Sequence, residues 1–224
     1  QMCIRDSIKR KQLPIFYLFF FIFLLSSGNS RLYAEENRAF NFSTLNLNNG
    51  LSQLSVLDIC QDDKGYIWFA TRNGLNKYDG THFTIYKHSN RDNNSLSDNH
   101  ITKLLPDNVR GGLWVGTNNG LNYLDPKTNL ITNYQLADYP ELPSNSILSL
   151  CLDKSGKLWV GTRLGLCFWQ PENKTFKLVT LDGQLDKESI TSLYIDKQER
   201  IYIGTHDKGL LICDCLLYTS DAAD

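Results

Sequence analysis

The sequence lacks the features that mark several large classes of protein. Its 23 lysines and arginines are matched by 24 aspartates and glutamates, so no basic surplus favours nucleic acid as a partner. Its six cysteines form no CxxC pair and no Cys/His group with metal-ligand spacing. Its four histidines stand at different positions of the repeat described below, so they predict no ligand ring. We therefore expect no metal, no cofactor and no catalytic residue in this segment.

Long hydrophobic runs are also scarce. The one clear case, Leu13–Leu25, has 13 residues and is short for a membrane span. Basic residues at 9–11 precede it, and a polar stretch ending at Ala34 follows. This order is typical of a secretory signal peptide, so we predict one at 8–34, with cleavage after Ala34. An uncleaved anchor helix is the alternative.

The two ends of the chain do not fit the rest of it. Residues 1–7 read QMCIRDS and residues 215–224 read CLLYTSDAAD. Reverse translation of the two gives strings that are reverse complements over nearly their whole length. Both resemble the mosaic end of a transposon used to prepare sequencing libraries, translated in opposite orientations. We therefore interpret both segments as adapter sequence and leave them out of the fold prediction.

What the chain does have is a repeat of about 45 residues, present four times. The copies are GYIWFATRNGLNKYDG (65–80), GGLWVGTNNGLNYLDP (111–126), GKLWVGTRLGLCFWQP (156–171) and ERIYIGTHDKGLLICD (199–214). A period of this length, filled with short strand-like runs, is typical of a β-propeller. We predict an all-β fold over 35–214: a partial propeller of about four blades, each of four antiparallel strands. The predicted repeats are about 51–95, 96–141, 142–185 and 186–214.

Three kinds of residue recur at fixed positions and are predicted to be structural. An aromatic residue on the second strand is expected to pack between neighbouring blades. An aspartate opens the turn before that strand, because its carboxylate can accept from nearby backbone N–H groups. A glycine ends the turn before the third strand. These residues are Trp68, Trp114, Trp159 and Tyr202; Asp62, Asp107, Asp153 and Asp196; and Gly74, Gly120, Gly165 and Gly209.

The fourth repeat has no sequence for an outer strand. Conversely, the segment FNFSTLNL (40–47) stands alone before the first repeat. We predict that it is an outer strand donated from the N-terminus to the last blade. Closure of that kind covers sheet edges that would otherwise recruit other chains.

Residues 50–86 carry a spaced set of motifs. They are GLS at 50–52, QD at 61–62, Gly65, IW at 67–68, Thr71, NGLN at 73–76 and YD at 78–79. This pattern resembles the two-component regulator propeller repeat, and the resemblance covers about 40–214. Two departures are Ala70, where glycine is usual, and Tyr202, where tryptophan is usual.

The resemblance implies an extracytoplasmic sensor at the N-terminus of a hybrid histidine kinase. Such a receptor would detect oligosaccharides in the periplasm, act as a homodimer and control transcription. Further blades, a membrane helix, a kinase and a receiver would follow. This segment contains no kinase histidine motif, no nucleotide-binding motif and no receiver aspartate cluster.

The predicted ligand site follows from propeller geometry. The loops between blades and those between second and third strands share one face, where amides and guanidinium forks suit sugar hydroxyls, carboxylates or sulfates. The candidates are Arg72, Asn73, Asn118, Asn119, Arg163, His206 and Asp207. The alternative for each is a solvated turn residue, because asparagine before glycine is common wherever the chain turns sharply.

Two other functions are compatible with a propeller. A propeller lyase or hydrolase would need histidines, tyrosines or carboxylates converging near the axis, and the repeat shows no such set. A secreted scaffold that binds protein or glycan without signalling is the main alternative to the sensor. The two differ in what the gene encodes after Asp214: a membrane span and kinase, or a stop.

Overall fold

The computed structural model describes residues 41–180, 183 and 185–214. In this part the chain contains fifteen β-strands and a single 3-10 turn at Leu47–Asn49. No helix in the described ranges has the length and apolar character needed to cross a membrane. The predicted signal peptide and both predicted adapter segments lie outside the described residues.

The strands form four antiparallel sheets in chain order. The first consists of β1 Val56–Gln61, β2 Ile67–Thr71, β3 Gly74–Tyr78 and β4 Phe83–Tyr86. The second consists of β5 Ile101–Asp107, β6 Gly112–Thr117, β7 Gly120–Asp125 and β8 Leu130–Tyr134. The third consists of β9 Ile147–Leu152, β10 Leu158–Thr162, β11 Gly165–Gln170 and β12 Thr175–Val179. The fourth has three strands, β13 Ile190–Ile195, β14 Arg200–Thr205 and β15 Leu210–Asp214.

The predicted fold class, all-β with four consecutive blades, is confirmed. Each sheet is a meander whose strands pair with their sequence neighbours, because tight turns join them. The first strand of each sheet also carries a register shift near its start, as between Val56 and Asp58 and between Ile101 and Lys103. Such bulges increase local twist and re-aim side chains at one end of a sheet.

The sheets pack face to face, with one hydrophobic cluster at each of the three interfaces. At the first interface Trp68 and Leu75 of one sheet pack against Leu104, Leu113 and Val115 of the next. The equivalent clusters are built around Trp114 at the second interface and Trp159 at the third. All three indoles are buried, whereas Tyr202 of the fourth sheet is half-buried. The tryptophans are thus the central packing elements between blades.

The donated outer strand predicted at 40–47 is wrong for the described residues of that segment. Residues 41–46 form no strand, and Leu47–Asn49 form the 3-10 turn. The Asn46 side chain accepts a hydrogen bond from the backbone N–H of Asn48, and the Asn49 side chain accepts one from that of Asn46. Gly50, with φ of 103°, ends the turn. Because asparagine side chains compete for backbone groups, the segment caps itself instead of extending into a strand.

Candidate functional site

One end of the stacked sheets is formed by two sets of loops. These are the hairpins between second and third strands and the connections that lead from one sheet to the next. The backbone N–H of Gly74, in the first hairpin, donates to the carbonyl of Asn99 in the following connection, at 2.8 Å. Gly120 makes the same bond to Asn145, at 2.7 Å. We call this end the hairpin face. It comprises the hairpins and the described connecting residues beside them; the hairpins are 71–74, 117–120, 162–165 and 205–209.

A threonine closes each hairpin. The Thr71 hydroxyl donates to the carbonyl of Gly74 at 2.8 Å and accepts from the backbone N–H of Asn73 at 3.1 Å. The other three threonines donate to the glycine carbonyl in the same way. Gly74 itself has φ of 115°, and a Cβ there would lie 2.8 Å from the carbonyl oxygen of Tyr86. The turn therefore requires glycine for its backbone conformation and for space.

All seven predicted ligand residues lie exposed on the hairpin face. They occupy the two positions that follow the threonine in each hairpin. The first position holds Arg72, Asn118, Arg163 and His206, and the second holds Asn73, Asn119, Leu164 and Asp207. Leu164 was not a candidate, so the third sheet contributes one predicted residue instead of two.

The second hairpin position is largely tied to the protein. The Asn73 amide donates to the carbonyl of Ser52 at 3.4 Å. The Asn119 side-chain oxygen accepts from the Asn145 amide at 3.3 Å. The Asp207 backbone N–H donates to Glu188 at 3.1 Å. These contacts join each hairpin to a connecting segment, so this position contributes to the shape of the face.

The first hairpin position differs from the second in this respect. The side chains of Arg72, Asn118 and Arg163 make no hydrogen bond or ion pair to another residue of the described ranges. His206 Nδ1 lies 2.7 Å from the Asp207 carboxylate, and both side chains are exposed. Three guanidinium or amide groups and an imidazole therefore face solvent at equivalent positions in four successive sheets.

A buried polar network holds the connecting segment below the hairpin. The Ser97 backbone N–H donates to the Asn122 side-chain oxygen at 2.8 Å, and the Ser97 and Thr117 hydroxyls lie 3.1 Å apart. The first sheet repeats this network with Ser52, Asn76 and Thr71. Sequence analysis did not predict the hydrogen bonds between these serines and asparagines. The serines recur in GLS and SLS and the asparagines recur in NGLN, so the sequence did contain a signal for them.

The network is lost in the third sheet through two matched changes. Pro143 replaces the serine, and Cys167 replaces the asparagine. Proline has no backbone N–H, so it needs no acceptor. The buried Cys167 packs in the hydrophobic cluster instead, and burial raises the pKa of its thiol.

At the opposite end of the sheets, each turn aspartate binds the aromatic residue of the second strand. The indole N–H groups of Trp68, Trp114 and Trp159 donate to Asp62, Asp107 and Asp153 at 2.8, 3.1 and 3.3 Å. Tyr202 donates its hydroxyl to Asp196 at 3.2 Å. The second carboxylate oxygen accepts from turn N–H groups, as from Lys64 and Tyr66 at Asp62. The aspartates thus fix both the turn and the indole, and only the first of these roles was predicted.

The described residues contain no group of three His, Cys, Asp or Glu side chains placed to hold a metal ion.

Comparison with known proteins agrees with this architecture. The two component regulator propeller family matches residues 50–73, 141–163 and 184–207. A curated relative from Formosa agariphila, named Histidine kinase P4, is 39% identical over 87 residues, which are 39% of this chain and 6% of that protein. The extracellular domain of BT4673 from B. thetaiotaomicron superposes with a TM-score of 0.60 at 25% identity, covering 74% of this chain and 22% of that one. One crystal structure of this domain assigns BT4673 to a one component system, and the other assigns it to a hybrid two component system.

Streptogramin B lyase superposes with a TM-score of 0.55 at 13% identity, covering 73% of this chain and 55% of that one. At that identity the likeness concerns the fold alone. The chain spans 6% of the length of the curated relative and 22% of the BT4673 ectodomain. The resemblance predicted from the sequence is confirmed: the chain is a β-propeller segment, three parts of which match the two component regulator propeller model, and it is similar in fold to the extracellular domain of BT4673.

Proposed function

We propose that this chain is part of the ligand-sensing propeller of a hybrid two-component sensor histidine kinase. The sensor detects oligosaccharides outside the cytoplasm and controls transcription. The observation that carries the oligosaccharide part is the hairpin face, where guanidinium, amide and imidazole groups are exposed at the first hairpin position of four successive sheets. Planar donor groups of this kind match the hydroxyls and acidic groups of sugars.

The two outer sheets support a larger propeller in the whole protein. Ile59 of the first sheet is 59% exposed, whereas its repeat equivalents Leu104 and Leu150 are 4% and 5% exposed. Leu210 of the fourth sheet is 62% exposed, whereas the equivalent Leu75 is fully buried. Monomeric proteins rarely leave such apolar faces open. In our proposal, further sheets of the same repeat cover both faces.

The whole receptor acts as a homodimer in this proposal, with its propellers in the periplasm and its kinase in the cytoplasm. A ligand can shift such a receptor only if it binds one of two states more tightly than the other. Oligosaccharide bridging several hairpins meets this condition, because its affinity depends on how the blades are placed relative to each other.

The test is a binding and signalling experiment on the whole protein. Oligosaccharide pools from complex glycans are titrated calorimetrically against its extracytoplasmic part, and a reporter gene is measured in cells that carry the receptor. We expect one pool both to bind and to induce the reporter. Binding without induction would instead favour the secreted scaffold. Tight binding by residues 35–214 alone would contradict the need for a completed propeller.

A further inference from the structure

Two arginines at the tips of the hairpins, Arg72 and Arg163, differ from the two at the opposite end of the sheets. At the opposite end, Arg110 lies 2.8 Å from Asp107 and Arg200 lies 2.7 Å from Asp196, so each guanidinium is neutralised by its turn aspartate. Arg72 and Arg163 have no such partner among the described residues. Because a guanidinium is always charged, these two positions present permanent positive charge to solvent.

Most carboxylates of the hairpin face already accept a hydrogen bond from, or lie against, a neighbouring group of the protein. Glu188 is only 6% exposed and accepts the Asp207 N–H, while Asp207 lies against His206. Three more accept hydrogen bonds from neighbouring groups: Asp92 from Asn94, Asp98 from His100, and Glu141 from Thr175. Asp138 and Asp186 are the other carboxylates of the connecting segments. Of the four hairpin tips, only the fourth carries a carboxylate, Asp207, which lies against His206, whereas the first and third tips each carry a guanidinium group with no partner among the described residues.

The spacing of these donors suits an extended ligand. Packed sheets lie about 10 Å apart, so the first positions of four hairpins follow an arc of about 30 Å. Arg72 and Arg163 belong to the first and third sheets and are separated by about 20 Å along this arc. Asn118 lies between them on the second sheet. A single sugar cannot reach both guanidinium groups, but an oligosaccharide can.

We infer that the hairpin face selects anionic oligosaccharides that carry carboxylates or sulfate esters on several sugar units. Arg72 and Arg163 each bind one acidic group through the guanidinium fork, which matches two acceptor oxygens at once. Asn118 binds hydroxyls of the sugars between them. This inference rests on the proposed oligosaccharide function and specifies the class of ligand.

The expected effects are modest for each arginine, because exposed charge pairs are weak. Loss of one guanidinium is expected to lower affinity about 2- to 5-fold, and loss of both about 10-fold. Salt should weaken the binding further, since the screening length falls from about 10 Å at 0.1 M to about 3 Å at 1 M ionic strength.

The experiment compares three hexasaccharides on the whole protein that contains this chain. They are an oligogalacturonate, a sulfated galactan and the same galactan after desulfation. Titration calorimetry is run on wild type and on R72Q/R163Q, with K64Q/K197Q as the control. The control removes two exposed lysines from the turns at the opposite end of the sheets. Matching melting temperatures show that all variants are folded.

We expect an acidic hexasaccharide to bind at least 10-fold more tightly than the desulfated one. R72Q/R163Q should lose about 10-fold for the acidic ligand and little for the neutral one, with K64Q/K197Q unchanged. R72K/R163K should fall between wild type and R72Q/R163Q, because it keeps the charge and loses the fork. Equal binding of neutral and acidic sugars, or wild-type affinity in R72Q/R163Q, would overturn this inference and leave oligosaccharide sensing intact. Absence of binding by any oligosaccharide would overturn both.

Discussion

Replacing Trp114 with alanine is the perturbation that bears most directly on how the blades are held together. The indole is 2% exposed and lies at the second interface between sheets. Its ring contacts Tyr123 and Tyr134 at centroid distances of 4.6 and 5.8 Å, and its N–H donates to Asp107 at 3.1 Å. Truncation removes this packing and leaves a cavity between two rigid sheets. We expect Trp114→Ala to lower the free energy of unfolding by about 3–5 kcal/mol.

A second substitution at the same position separates packing from hydrogen bonding. Trp114→Phe keeps most of the ring and removes the N–H, but Asp107 still binds Arg110 and two turn N–H groups. We expect it to cost about 1–3 kcal/mol, less than the alanine variant. Urea denaturation followed by circular dichroism measures both, because this signal does not depend on tryptophan fluorescence. A loss below about 1 kcal/mol for Trp114→Ala would refute a central packing role.

Three further predictions concern the hairpin face and the interfaces beneath it. Asn122→Leu leaves the buried Ser97 N–H without its acceptor, so urea denaturation should show a loss of about 1–3 kcal/mol, and an unchanged midpoint would contradict the network. Gly120→Ala should destabilise more than Gly80→Ala, because both glycines have positive φ but only the Gly120 Cβ would meet neighbours, at 2.9 Å; equal losses in thermal melts would contradict this. Burial raises the pKa of the Cys167 thiol above its ordinary value, so the stability that the neutral thiol contributes is fully present below that ordinary value and is lost as pH rises towards the raised pKa. Between pH 7.5 and 10.5 wild type should therefore lose more stability than Cys167→Ala, and parallel losses would contradict the burial effect.

The repeat made the fold predictable to the level of single strands. In four copies the turn aspartate, the aromatic residue of the second strand and the hairpin glycine have nearly the same spacing, so the order of the strands could be predicted, and the strands lie where the alternating pattern places them. The interfaces between sheets could also be predicted, because a large residue that recurs in every blade can be buried only by the next blade. Leu51, Leu96, Leu142 and Leu185, which recur before each first strand and are buried, carried the same signal and were overlooked.

What could not be predicted depends on contacts across strands or between sheets. The hydrogen bond that the Trp68 indole donates to Asp62 joins residues six apart around a hairpin. It requires a turn geometry that the Asp62 carboxylate itself stabilises. In the first, second and fourth hairpins, the residue at the second position after the threonine is hydrogen-bonded to a connecting segment, whereas the side chain at the first position is not. This difference depends on where the connecting segment lies in the folded protein. The donated strand failed for a local reason, because Asn46, Asn49 and Gly50 form a capped turn where hydrophobic alternation alone favoured a strand.

The measurement that tests the central claim most directly is the sequence of the source DNA beyond the codon for Asp214. Our account predicts further copies of the IWxGT repeat, followed by a membrane span, a histidine kinase and a receiver. These would make the described sheets the beginning of a sensor propeller. A stop codon shortly after Asp214, or a natural gene that continues as CLLYTSDAAD, would contradict the sensor and leave a small secreted propeller-like protein.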